Sequence, residues 1–344
     1  MTRPIGYYVH HHGAGHLARA MAIADAAGGR VVLLGTGLAG RTGGHPFIDL
    51  PDDRMDDAFD GADGDRDRPE ALHYAPIDHD GVRRRVAAMT GWIADARPAL
   101  MVVDVSCEVA MLARLASVPV VYVRLGGARD DAPHGQAFRA ARALLAPFAA
   151  ALDDKATPDW VRARTRYAPG LVARPAAIAV DPRSVVVVIG AGGAMGDGEV
   201  WARAARAVPD RVWTVIGPCA PARDPPANLT LAGWVEDADA RIAGAGVVVG
   251  GAGDGVVGAV LAARRPFVCL AEDRPFGEQR AKAARLVAVG AAIACDDAAI
   301  ADWGALMMRA AAIDLAASAA LDDPDGAART AAYLIALADG TVPA

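Results

Sequence analysis

Three glycine-rich loops hold the residues of this chain best suited to chemistry. The first, HHHGAGH from His10 to His16, sets His10, His11, His12 and His16 around the small residues Gly13 and Gly15. Imidazole exchanges protons near neutral pH, so His16, flanked by glycine at the end of an apolar run, is a candidate for acid–base work. The plain alternative is a residue at a helix N-terminus without a chemical role. Three consecutive histidines on an extended chain point alternately to opposite faces. His10 to His12 therefore converge poorly on one ion, and no metal site is expected.

The second loop is GAGGAMG, Gly190 to Gly196, and the third is GGAGDG, Gly250 to Gly255. Each joins an apolar run to a helical pattern, so backbone N–H groups and a positive helix end can approach an anion at Gly190, Gly192 and Gly193, and again at Gly251, Gly253, Asp254 and Gly255. Neither is a P-loop, because no Lys follows, and Met195 stands at the third glycine of the dinucleotide pattern. Two such loops in one half suit a diphosphate whose charge grows as it departs. The bland reading is a pair of tight turns. Gly13-x-Gly15-x-x-Ala18 meets the loose dinucleotide fingerprint, yet a nicotinamide site wants an acid after the second strand, where the chain reads LLGTG.

Loops of this kind need strands and helices to aim them. The first half alternates short apolar runs with helical patterns: a strand at Pro4 to Val9, a helix carrying Leu17, Ala20, Met21 and Ala24, a strand at Arg30 to Leu34, ALMVVDVS with Asp104 near its end, a helix through Met111 and Leu115, and VPVVYV to Val123. Asp104 is placed either to orient His16 or to cap the helix that starts near Ser106. YAPGLVARPA, Tyr167 to Ala176, reads as a linker. A second alternation follows, through SVVVVIG, RVWTVIG, NLTLAGW, VVVGG and PFVCLAE. The expectation is an α/β protein of two doubly wound, Rossmann-like domains facing across a cleft, residues 1–166 and 177–323, with a closing helix over 324–344. Trp201 and Trp234 read as core or wall residues.

The 344 residues exceed what a single core supports. A net charge of −6 with scattered basic residues leaves no footprint for nucleic acid, so small-molecule partners are expected. The four cysteines are far apart and read as reduced thiols; with no signal-like or membrane-spanning run, a cytoplasmic protein is expected, peripheral membrane contact staying open. The acidic stretch from Asp52 to Glu70 lacks the glycine and glutamate of a calcium loop and reads as a solvated loop.

In this order, GAGH, GWVED (Gly233 to Asp237), GGAGDGVVGAVLAARRPFVCLAEDRPF and GEQRAKAARL resemble the GT-B glycosyltransferases, in particular the peptidoglycan GlcNAc transferase and UDP-glycosyltransferase group. The resemblance covers nearly the whole chain. It implies a transferase that takes a UDP-linked or other nucleotide sugar as co-substrate, with no resident cofactor. His16 would be the base in the acceptor domain, Val235 beside Trp234 would meet the nucleobase, Gly253 to Gly255 the phosphates and Gln279 the donor sugar. Ala259 stands where the group often has a ribose-binding Glu, and Lys282 replaces a common Asn. The acceptor would meet residues 41–80 and 124–140, with Arg124, Arg129 and His134 as polar candidates. A sugar-nucleotide epimerase, a nicotinamide-dependent dehydrogenase and a non-catalytic sugar-nucleotide-binding protein are the rival readings.

Overall fold

A computed structural model describes residues 2–11, 14–55, 68–190 and 195–342. The first sheet holds β1 (Ile5–Tyr8), β2 (Val31–Gly35), β3 (Phe47–Asp49), β4 (Leu100–Asp104), β5 (Val120–Val123), β6 (Ala143–Ala146) and β7 (Thr165–Tyr167) in the order β3-β2-β1-β4-β5-β6-β7. Its helices are α1 (Ala14–Ala26), α2 (Asp80–Ala96), α3 (Cys107–Leu115), α4 (Ala132–Ala140) and α5 (Asp159–Ala163). The second half supplies β8 (Asp181–Val188), β9 (Gly196–Asp197), β10 (Val212–Ile216), β11 (Cys219–Ala220), β12 (Leu229–Gly233), β13 (Ala245–Gly250), β14 (Phe267–Cys269) and β15 (Ile293–Ala294). Six of these form the second sheet, β12-β10-β8-β13-β14-β15, while β9 pairs with β11. Its helices are α6 (Gly198–Ala207), α7 (Ala238–Gly244), α8 (Asp254–Ala263), α9 (Glu278–Ala288), α10 (Trp303–Ala311) and α11 (Leu315–Ala319), and the chain closes with α12 (Gly326–Ala338).

The strand pairs around the site are all parallel. A parallel sheet covered on both faces needs continuous apolar strands, and LMVVD and VVYV are buried at every position. Tyr7, Val102, Val121 and Leu145 pack one face of the first sheet; Tyr8, Val103, Tyr122 and Leu144 pack the other. Chain connections diverge from β1 and β4 in the first sheet, and from β8 and β13 in the second, so each sheet opens a crevice beyond the carboxyl ends of those neighbouring strands. The three glycine loops leave β1, β8 and β13.

Tyr167 belongs to β7, so the first sheet takes one residue of the expected linker, and regular structure resumes at Asp181. The closing helix does not stay with the second domain. Ala331, Leu334 and Leu337 of α12 join the core of the first domain with Ile5 and Leu33. The chain therefore passes between domains twice, and the two passages touch backbone to backbone: a Cβ on Gly170 would strike the Asp323 carbonyl, and one on Gly326 the Pro169 carbonyl.

Candidate functional site

Helix α1 starts at Ala14, so His16 sits in its first turn rather than on a loop. Asp104 is the last residue of β4, the strand beside β1, and has no exposure to solvent. The two meet, His16 Nδ1 lying 3.1 Å from Asp104 Oδ1. The capping role considered for Asp104 falls instead to Ser106, whose hydroxyl accepts the Val109 N–H at 3.2 Å. Asp104 is also bound by Arg19, one turn beyond His16, with Nη2 2.9 Å from each carboxylate oxygen and Nε 3.2 Å from Oδ2. Burial on its own would raise this carboxyl, but the Arg19 guanidinium, with His16 beside it, prevails and holds it at about 2. Tyr7 adds its hydroxyl at 3.4 Å, and its own phenol is pushed far up by burial and the neighbouring carboxylate.

Across the cleft, α8 opens at Asp254 with Gly253 as an N-cap that offers no side-chain acceptor. The first-turn N–H groups of α8 thus face the cleft without a side-chain cap, as an anion site requires. Gly190, Trp234, Val235, Gly251, Gly253, Asp254, Gly255 and Gln279 all line one cavity of about 1990 Å³, which Gly15, His16, Arg19 and His134 line from the other domain. Gly13, Gly192 and Gly193 lie outside the described residues. Trp234 is largely exposed on the cavity wall, while Trp201 is buried 5.7 Å from Trp303.

Several side chains have tasks the sequence did not disclose. The Gln279 carbonyl accepts the Ala252 N–H at 2.9 Å and the Glu272 N–H at 3.0 Å, and its amide donates to Glu272 at 3.3 Å. It clasps the glycine loop to the following strand end, so its amide is already engaged at the position where a sugar contact was expected. The Asp254 carboxylate pairs with buried Lys282 through Oδ1 and lies 3.6 Å from Arg19 Nη1 through Oδ2. Burial, then the charges of Arg19 and Arg129, push Lys282 down to about 7. Ala259 is buried on the cavity lining.

Arg124 is not at the site. It is buried in an ion pair with Asp153 at 2.7 Å and bonded to Thr165 at 2.8 Å, away from the large cavity, because its strand-end position turns it into the domain interior. Arg129 does reach the cavity and binds Glu278 of α9 at 2.8 Å, with its guanidinium 4.6 Å above the Phe276 ring. His134 is buried between Asp131, 2.8 Å from Nδ1, and Arg129, 3.0 Å from Nε2; burial and the Arg129 charge bring it down to about 4. His73, Cys107 and His134 have donor atoms all within 4.8 Å of one another, a possible metal grouping. Both ring nitrogens of His134 are already engaged, and burial pushes the Cys107 thiol up to about 12, so the three fit a hydrogen-bonded wall better than a ligand set.

The first-domain wall of the cavity includes α2 and α3, where Val82, Val86, Met89, Val109, Met111 and Leu112 give an apolar surface. Arg19 was missed by the sequence reading although its i+3 spacing from His16 puts both on one helix face. The Asp254–Lys282 and Arg129–Glu278 pairs leave no such signal, because they join residues 28 and 149 positions apart.

No protein-family model and no curated protein matches the chain. Solved structures do. The glycotransferase of kitacinnamycin is 17% identical with a TM-score of 0.65, each chain covered over 98% of its length. MurG of Acinetobacter baumannii is 15% identical with a TM-score of 0.62, covering 96% of this chain and 99% of its own. The spinosyn rhamnosyltransferase SpnG, complexed with thymidine diphosphate, is 16% identical with a TM-score of 0.57 over 98% and 96%. Over nearly its entire length this chain is built on the GT-B fold that these glycosyltransferases share.

Proposed function

We propose that the protein transfers a sugar from a nucleoside-diphosphate donor to the hydroxyl of an apolar acceptor, in one displacement that inverts the anomeric carbon. The observation carrying this reading is that the crevices of both sheets open into one cavity, with a carboxylate-backed imidazole on one side and the bare N-terminus of α8 on the other. The acceptor oxygen forms its bond to the anomeric carbon as its proton passes to His16 Nε2. The bond to the diphosphate breaks on the opposite face, and the departing charge moves onto the N–H groups at Gly253 to Gly255. These groups and the helix dipole take the role that a cation holds elsewhere, so no resident cofactor is invoked. Val235 and Trp234 flank the nucleobase, and the apolar faces of α2 and α3 hold the acceptor. SpnG, which binds thymidine diphosphate, shares the fold and supports a nucleotide in this crevice; whether the donor is UDP-linked or TDP-linked is decided by assay.

Thermal unfolding with UDP and TDP tests the donor half. A ligand at about 100 times its Kd stabilises by roughly 2.7 kcal/mol, and no shift with any nucleoside diphosphate rejects the assignment. His16→Ala is expected to reduce turnover by roughly 10²- to 10⁴-fold with nucleotide binding intact, since the donor is held by the other domain. Near-normal turnover in this variant removes His16 as base. Epimer formation without an acceptor would favour a sugar-nucleotide epimerase, and binding without turnover a sugar-nucleotide-binding protein.

A further inference from the structure

The imidazole, the carboxylate behind it and the donor loop meet at a single guanidinium. Arg19 is 3% exposed and belongs to the domain of His16, yet its Nη1 reaches within 3.6 Å of Asp254 at the start of α8. Its Nη2 lies 2.9 Å from each oxygen of Asp104 and 3.0 Å from His16 Nδ1. His16 Nδ1 therefore has two neighbours that make opposite demands. Asp104 Oδ1, at 3.1 Å, would accept a proton from Nδ1, whereas Arg19 would donate one to its lone pair. A base that takes a proton at Nε2 needs the first arrangement, with hydrogen on Nδ1.

The remaining polar surroundings decide between them. Asp104 is already bound through both oxygens by Arg19, with the Tyr7 hydroxyl on Oδ2, so its need for a further donor is small. Nη2 carries two hydrogens, enough for Asp104 and for Nδ1 together. Among the described residues, His10 also brings a titratable ring close, 5.4 Å from that of His16. On the donor side Lys282 holds Asp254 Oδ1, leaving Oδ2 directed at Arg19.

We propose that Arg19 is a positioning residue that sets the tautomer of His16: in the donor-free protein its guanidinium holds Nδ1 as an acceptor, and an anion arriving at the N-terminus of α8 draws it toward the donor loop, freeing Nδ1 to donate to Asp104. The exchange balances without net charge transfer, since Nε2 gives a proton to solvent and Nδ1 takes one from it. The guanidinium keeps an anionic partner throughout, moving along a line that already joins Asp104 to Asp254. The acid–base group would then be readied only when the donor diphosphate is in place. This inference rests on the proposed transferase reading for its purpose, but its geometry does not.

Long-range ¹H–¹⁵N correlation spectra of ¹⁵N-histidine-labelled protein, with His16 assigned by comparison with His16→Gln, read the tautomer of the neutral ring directly. The expected result is hydrogen on Nε2 in the free protein and on Nδ1 when saturating UDP or TDP is added. Arg19→Met should show hydrogen on Nδ1 without any nucleotide. Hydrogen on Nδ1 in the free wild type overturns the proposal, and that reading is taken on the wild-type ring itself, whatever becomes of Arg19→Met. A wild-type tautomer unchanged by a nucleotide that demonstrably binds also overturns it. Neither acceptor nor turnover enters these spectra, so an inactive protein would defeat the transferase reading and leave this one standing. Conversely, full turnover in His16→Ala defeats the base role whatever the tautomer.

Discussion

Asp104 shows how strongly a single residue here depends on its neighbours. A carboxylate cut off from water is costly unless charge and hydrogen bonds replace its hydration; Arg19 supplies the charge, and Arg19 with Tyr7 supplies the hydrogen bonds. His134 is the opposite case, a ring kept neutral by burial and by Arg129. Folded His134 takes up a proton only near about 4, against an ordinary value of 6.5 in the unfolded chain. Between those values the unfolded state binds more protons, so stability rises with pH and is lost as pH falls from 6.5 through about 4. The shift corresponds to roughly 3 kcal/mol. Urea unfolding at pH 7 and pH 4.5 should show His134→Gln losing less stability on acidification than the wild type. Equal losses would mean that His134 does not carry this dependence.

At the scale of elements, the glycine loop between β13 and α8 owes its shape to a side chain on another helix. Gln279 of α9 satisfies the N–H groups of Ala252 and Glu272, and a Cβ on Gly251 would come within 2.9 Å of its Oε1. Gln279→Leu keeps the apolar volume but leaves both N–H groups without their acceptor, at about 1–3 kcal/mol for each that stays buried. The expected outcome is a lower unfolding midpoint together with weaker nucleoside-diphosphate binding, read by calorimetry. Undiminished affinity in a destabilised variant would separate the clasp from the donor site.

At the scale of the molecule, the two domains close on each other around the cavity. The Ala128 N–H donates to the Phe276 carbonyl at 2.8 Å, Arg129 pairs with Glu278, and the N-termini of α1 and α8 abut so closely that a Cβ on Gly15 would lie 3.7 Å from the Gly255 nitrogen. Gly127, at a φ of +91°, is a tight point across the cleft, where any side chain would strike the Phe276 carbonyl. Gly127→Ala is expected to hold the domains apart, with a larger radius of gyration by small-angle scattering and lower turnover, while nucleotide binding to the second domain persists. An unchanged radius would show that this contact does not limit closure.

Much of this was written in the order of residues. Apolar runs such as LMVVD and VVYV can be satisfied only by a sheet covered on both faces, and loops that leave such strands through glycine must lie at their carboxyl ends. That logic reached the two doubly wound domains and the cleft between them, because these follow from local pattern and strand order, but it left Asp104 open between His16 and the cap of the next helix, which the fold gave to Ser106. It could not reach pairings between residues distant along the chain. Gln279 looked free to meet a sugar until the fold brought the Ala252 and Glu272 N–H groups to its carbonyl. Arg124 looked available to a ligand until Asp153 buried it. The closing helix was visible as a pattern, but its return to the first domain depended on where Ala331, Leu334 and Leu337 found apolar partners. Periodicity and turn chemistry are encoded over a few residues, whereas the counter-ion of a buried charge is chosen by whichever distant side chain packing delivers to it, and that choice belongs to the tertiary structure.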